Sequence, residues 1–197
     1  MFERIRREHG RLDVLVNNSW AGYEHFTDGT EHWLEQGFWD MPLERWDKMF
    51  RSGVRAHFVC SALAAPLMIA QRSGLIVNIS FFSALRDDRG VAYGVAKAAD
   101  DRMAATMAHE LRPHNVAAVA LYPGLVRTES VQANAEYFDM SNSESPQFIG
   151  RAVAALAADP DVMAKSGQVL VAAALALEYG FTDVDGRQPR PLVVEET

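Results

Sequence analysis

The sequence predicts an α/β fold, a doubly wound parallel sheet with helices on its faces, and three observations carry that expectation. Short continuous apolar runs at residues 12–16, 75–79 and 116–122 read as strands buried on both sides. Longer stretches of helical periodicity separate them, which is the alternation a parallel sheet requires. The third run ends in Pro123-Gly124, a sharp turn at the carboxyl end of a strand, where ligands settle in open sheets of this type.

The elements follow in order. Residues 2–9 read as the last turns of a helix with Gly10 as its C-cap. The strand at 12–16 is ended by Asn17-Asn18, for which an Asx turn is physically sufficient. Residues 23–41, aromatic and acidic, read as a loop on the substrate-facing side, most of its rings packing onto the core. Pro42 fits the first turn of a helix, with Asp40 as a cap, and Trp46, Met49, Phe50, Gly53, Val54, His57 and Phe58 carry its periodicity towards Ala70 despite Pro66. After the strand at 75–79 comes a polar loop holding Arg86, Asp87, Asp88, Arg89 and Gly90. An Ala-rich helix then opens near Tyr93 and stops at Pro113. Residues 129–147 read as a mobile polar lid. Pro146 starts a helix that ends at Asp159-Pro160, and residues 167–177 read as a final apolar strand. The tail from 178 to 197 is expected to wrap a neighbouring surface.

Composition narrows the function. A chain of 197 residues without repeats or linkers is one domain, long enough to bury a sizeable core. The net charge of −7 argues against nucleic acid or an anionic membrane as partner. Cys60, the one cysteine, rules out an internal disulfide and reads as a buried, inert thiol suited to a reducing compartment, so a cytoplasmic protein is expected. The six histidines form no metal-ligand spacing. The first eleven residues lack the apolar core of a signal peptide, and the run at 169–177 falls short of the roughly 20 residues a bilayer span needs.

The chemistry concentrates between Ser80 and Lys97. Tyr93 and Lys97 stand four apart, so a helix places them on one face about a turn from each other. An ammonium near a phenol favours the phenolate, which lets Tyr93 exchange a proton near neutral pH. Ser80, at the strand end, can hold a substrate oxygen against that phenol, with Ser83 as the alternative. By itself Tyr-x-x-x-Lys suits a half-buried tyrosine and a solvated lysine even better. The order of the parts gives it weight: strand, serine, loop, tyrosine and lysine, then a strand ending in Pro-Gly.

In that order the segments 12–22 (LDVLVNNSWAG), 75–80 (LIVNIS), 93–99 (YGVAKAA), 121–128 (LYPGLVRT) and 179–187 (YGFTDVDGR) resemble the short-chain dehydrogenase/reductase family, over nearly the whole chain. The resemblance implies a Rossmann-like sheet and NAD(P)-dependent interconversion of a small carbonyl compound and its alcohol. Tyr93 would donate the proton, Lys97 would lower its pKa and bind the nicotinamide ribose, and Ser80 would orient the oxygen. It further implies that Asn17, Asn18, Ala21 and Gly22 lie by the adenosine half of the cofactor. Pro123 and Gly124 would back the nicotinamide, with Val126 and Thr128 near its carboxamide. NADP(H) is slightly favoured over NAD(H), and a homodimer or homotetramer built on the two long helices is expected.

Departures are visible too. The segment Asn17–Gly22 is two residues longer than the family's Asn-Asn-Ala-Gly, Gly53 stands where many members carry a catalytic asparagine, and Phe81 stands where a second serine is usual. No glycine-rich turn for a pyrophosphate precedes Asn17. The chain therefore reads as the single C-terminal portion, residues 1–197, of such a domain, lacking the first βαβαβ half. Two alternatives stand beside the enzyme: a non-catalytic remnant serving as an oligomerisation or interaction module, and one half of a split enzyme.

Overall fold

The structure is a computed structural model that describes residues 1–22, 37–86 and 90–192. Four parallel strands, β1 (Val14–Asn17), β2 (Gly74–Ile79), β3 (Val116–Tyr122) and β4 (Val169–Val171), lie side by side in chain order. Every residue of β3 is buried, as its uninterrupted apolar run demands. Register sets Asn17 beside Asn78 and Asn78 beside Ala120, bringing the carboxyl ends of the first three strands level.

Helices cover both faces. On one, α3 (Ala56–Gln71) and α4 (Val91–Leu111) pack Met68, Ala108 and Leu111 onto Ile76, Val116 and Ala118. On the other, α6 (Pro146–Ala158) and α7 (Ala172–Tyr179) pack Phe148, Ala152, Leu156 and Ala176 onto Leu75, Val77, Val119 and Leu121. The period-two alternation of β2 and β3 divides these residues between the two layers. The α/β architecture expected from the sequence is the one observed. Ahead of the sheet, α1 (Phe2–His9) ends at Gly10, whose φ of 69° turns its N–H back to the carbonyls of Ile5 and Arg6.

The run preceding β2 is one continuous helix in three parts. It comprises α2 (Leu43–Met49), a π-helical stretch (Phe50–Arg55) and then α3, with Pro66 accommodated inside. Its length and one apolar stretch would meet the demands of a bilayer span. Met49, Ala64 and Met68 of this helix are buried in the core, while Phe58 and Leu63 are exposed. Pro42 sits at the N-cap, not in the first turn, and no side chain caps this end, so Asp40 does not take the role expected of it.

Other expectations are corrected. The apolar run at 169–177 is a three-residue strand followed by α7: Ala172, Ala173, Leu175 and Ala176 recur with helical spacing, and an Ala-rich stretch favours the helix over an extended chain. The polar stretch after Thr128, expected to be a lid, carries short helical elements. It forms α5 (Glu129–Ala133) and two single 3₁₀ turns, Ala135–Tyr137 and Met140–Asn142. Among the described residues the tail is tied to its own chain through Asp183, Arg190 and Thr182. Cys60 is only partly buried. The aromatic loop from 23 to 36 and residues 87–89 lie outside the described residues.

Candidate active site

The site forms where β2 and β3 end. Ser80, Phe81, Tyr93, Lys97, Pro123, Gly124, Val126 and Thr128 all line one cavity of about 340 Å³, closed further on by Leu125, Val131 and Phe138. Thus the residues expected to act on a carbonyl and those expected to back a nicotinamide are brought together. Asn17, Asn18, Ala21 and Gly22 do not line it. Asn17 is buried, and its amide nitrogen donates to Ser61 Oγ at 3.0 Å and Asn78 Oδ1 at 2.8 Å, bracing the sheet.

α4 presents Tyr93 and Lys97 to the cavity one turn apart. Lys97 is 6% exposed, and its Nζ donates to the carbonyl of Ile79 at 3.0 Å. The same ammonium stands 4.1 Å from the centre of the Trp20 ring, a cation–π contact, and Trp20 meets Tyr93 edge-on at 5.2 Å. Burial lowers the Lys97 pKa, and the carboxylates of Asp100 and Asp101 oppose that shift.

Ser80 is buried with its hydroxyl donating to the backbone carbonyl of Lys97 at 3.1 Å. It lines the cavity whereas Ser83 does not. Phe81 lies against Tyr93, with ring centres 6.2 Å apart, so the position of the usual second serine supplies an apolar wall.

Gly53 has a steric explanation. A Cβ there would fall 2.7 Å from Cζ3 of Trp20, so the indole occupies the space a side chain at 53 would need. Trp20, from the segment 17–22, thus stands where a larger side chain at position 53 would lie.

Beneath the Pro123-Gly124 turn lies Glu144, almost wholly buried. Its Oε2 accepts the Gly124 N–H at 2.8 Å, and a paired stretch of backbone holds Val126 beside Glu144. Burial pushes this carboxyl up to about 7, against the Gly124 hydrogen bond. Asp101, behind Ser80 on α4, accepts from the Tyr122 hydroxyl and is pushed up to about 6, again chiefly by burial. Next to this turn, Arg127 donates to Asp183 Oδ2 at 2.9 Å and to the Ser143 carbonyl at 2.6 Å. That Trp20, Asp100, Asp101 and Glu144 lie beside the site was not recognisable from the sequence. The usable signal was local: an aromatic residue inserted after Asn-Asn, and a glycine at a helix position that others fill.

A model of the short chain dehydrogenase family matches residues 1–137. The mouse protein dehydrogenase/reductase SDR family member 1 is 43% identical over 204 residues, covering 95% of this chain and 63% of that protein. The chain therefore spans less than two thirds of this relative's length. Among solved structures, acetoin dehydrogenase from Enterobacter cloacae superposes with a TM-score of 0.68 at 30% identity, over 86% of this chain and 66% of that one. The 7α-hydroxysteroid dehydrogenase solved with NADH and 7-oxo glycochenodeoxycholic acid gives a TM-score of 0.70 at 23% identity, over 95% of this chain and 68% of that one, a likeness of fold.

Proposed function

The chain belongs to the short-chain dehydrogenase/reductase family, and on that premise we propose that its cavity serves NAD(P)-dependent interconversion of a small carbonyl compound and its alcohol. One observation carries the reading: Tyr93, Lys97 and Ser80 share a single cavity with the Pro123-Gly124 turn. In reduction the Tyr93 hydroxyl gives its proton to the substrate oxygen, which the Ser80 hydroxyl, turned from the Lys97 carbonyl, holds in place. The Lys97 ammonium favours the resulting phenolate. Phe81, Leu125, Val131 and Phe138 exclude water and suit an apolar ketone or aldehyde.

The residues present fit a nicotinamide. Lys97 makes one hydrogen bond among the described residues, to Ile79, which leaves ammonium protons for a ribose hydroxyl. The Gly124 backbone and Thr128 line the same wall. When bound, the nicotinamide supplies or accepts the hydride. The pyrophosphate has no glycine-rich turn within these 197 residues. Weak cofactor affinity is therefore expected of this chain by itself, with NADP(H) ahead of NAD(H). β1 is the edge strand of the described sheet, with Val16 exposed, and gives a complementary half a place to pair. A cytoplasmic homodimer or homotetramer joined through α3 and α4 completes the reading.

The test is oxidation of NADPH and NADH by the chain with a panel of apolar ketones and aldehydes. Tyr93→Phe should lower turnover by at least about a hundredfold, the scale of general acid–base catalysis, with circular dichroism and cofactor binding unchanged. A Tyr93→Phe protein that kept its rate would remove Tyr93 from the mechanism.

A further inference from the structure

One stretch of chain, residues 123–138, supplies much of the cavity lining, from Pro123 and Gly124 in the turn to Val131 and Phe138 beyond it. After the turn the chain makes an excursion through α5 and the two 3₁₀ turns and comes back at Ser143, beside where it left. The stem of this excursion is tied across its two ends. The Glu144 N–H donates to the Leu125 carbonyl and the Arg127 N–H to the Glu144 carbonyl, both at 2.8 Å, so that Val126 and Glu144 pair in parallel. Arg127 Nη1 adds bonds to the Ser143 carbonyl at 2.6 Å and to its hydroxyl at 3.2 Å.

The Glu144 side chain reaches past this stem to the turn, where Oε2 takes the Gly124 N–H at 2.8 Å. A Cβ at position 124 would stand 2.8 Å from Oε1, so only a glycine lets the carboxyl come this close. Glu144 thus grips the turn with its side chain and the stem with its main chain, without lining the cavity itself. The charged groups facing the carboxyl are Asp183 and Arg127, and Arg127 is shared between Asp183 and Asp185, at 2.9 and 3.4 Å. Burial outweighs the Gly124 hydrogen bond and these charges, and pushes the carboxyl up to about 7. Were the grip released into water, the group would return to the ordinary value of 4.5. The closed arrangement therefore holds a proton that the open one gives up, and opening becomes easier as pH rises from about 4.5 to 7.

We propose that Glu144 is a positioning residue, a clasp that joins the Pro123-Gly124 turn to the returning end of the excursion, and that its ionisation loosens this joint. The clasp stands on the geometry of the chain. Its consequence for a nicotinamide, whose place the turn would back, rests on the carbonyl-reductase reading. No bond to substrate or cofactor is made or broken by Glu144.

Amide hydrogen exchange of the ¹⁵N-labelled chain, followed by NMR from about pH 5 to 8, tests the clasp without a cofactor. The N–H groups of Gly124, Arg127 and Glu144 report it. Corrected for the base dependence of exchange itself, their opening constant should rise by up to about tenfold per pH unit and level off above about 7. In Glu144→Gln, which keeps the shape and an acceptor for Gly124, it should stay flat. A flat profile in the unmodified chain, or an equal slope in Glu144→Gln, overturns the proposal. These amides should also exchange at least about tenfold faster than those of β3, because the opening is local. Equal protection would mean that the contact yields only with the whole fold, and would make Glu144 structural only. The underlying reading is tested separately by adding NADPH. Exchange at Gly124 should slow by at least about threefold, the effect of a ligand at twice its Kd that binds only the closed form. No slowing, with the pH slope intact, would refute the nicotinamide reading and leave the clasp standing.

Discussion

Replacing Gly53 by alanine isolates the exchange of volume between this position and Trp20. The added Cβ would lie 2.7 Å from Cζ3 and 2.9 Å from Cε3 of the indole, where carbon atoms prefer about 3.5–4.0 Å. Gly53 is buried, and Trp20, half-buried, is held over Lys97 and against Tyr93, so moving the indole aside would break both contacts. Overpacking of this kind costs about 1–3 kcal/mol. Against it stands the gain of about 0.5–1 kcal/mol from removing a glycine from a helix interior. The net loss should be up to about 2.5 kcal/mol, or a fall in Tm of up to about 10 °C for a chain of this size. In a Trp20→Ala background the obstacle is gone, and the same substitution should stabilise by the helix term alone. The four proteins form a double-mutant cycle, read by urea unfolding followed in the far ultraviolet. A coupling of about 1–3 kcal/mol, the overpacking term itself, is expected. Equal effects of Gly53→Ala in both backgrounds would refute the steric account of why this helix carries a glycine.

Two further outcomes follow from the buried carboxylates. Glu144 is pushed up to about 7 in the fold, so between about pH 4.5 and 7 the folded state binds more protons than the unfolded one, and its contribution to stability falls as pH rises through that window. Glu144→Gln should raise stability at about pH 8 by up to about 3 kcal/mol and reduce the slope in urea titrations, leaving the part due to Asp101; an unchanged slope would argue against the assignment. Asp183 accepts from Ser145 N, Ser145 Oγ, Val184 N and Arg127 Nη2, so Asp183→Ala should cost about 2–4 kcal/mol and expose the tail to limited proteolysis; an unchanged digestion pattern would show that these bonds do not hold it.

Legibility in the sequence followed the range of the interaction. β3 was read to the residue because all seven of its positions are apolar and buried, a pattern that no helix of that length between turn signals would need. The run at 169–177 failed for the opposite reason: a short apolar stretch satisfies both periods, and only its alanines tipped it into α7. Tyr93, Lys97, Ser80 and the Pro123-Gly124 turn, which share one cavity, could be singled out by the order of strand, serine, helix and Pro-Gly turn and the family resemblance it carries, not by the Tyr-x-x-x-Lys spacing alone. His57 and Asp100 are 43 positions apart, and Glu144 is 20 from the glycine it supports. No periodicity relates such pairs, since the sheet alone decides which crossovers meet. The burial of Asp183 was not legible either, since its partners Arg127 and Ser145 lie 56 and 38 positions away.

The distances behind Lys97 depend on a small polar clamp in an otherwise apolar sheet. Asn17 on β1 and Asn78 on β2 are register partners, and the first donates to the second at 2.8 Å. Asn17 also donates to Ser61 on α3, and Asn78 donates to the backbone carbonyl of Asp100 on α4 at 3.2 Å. One strand pair thereby fixes the helix that carries His57 relative to the helix that carries Tyr93, Lys97 and Asp100. Apolar packing of Met68 and Ala108 would hold these helices on the sheet but would tolerate small axial shifts, because dispersion contacts have little direction. Hydrogen bonds between buried amides have direction, and misplacing one leaves a donor unsatisfied at about 1–3 kcal/mol. An ion pair at 3.8 Å and a ring held between two acceptors need that directional restraint. This explains why two asparagines interrupt strands whose other buried positions are apolar.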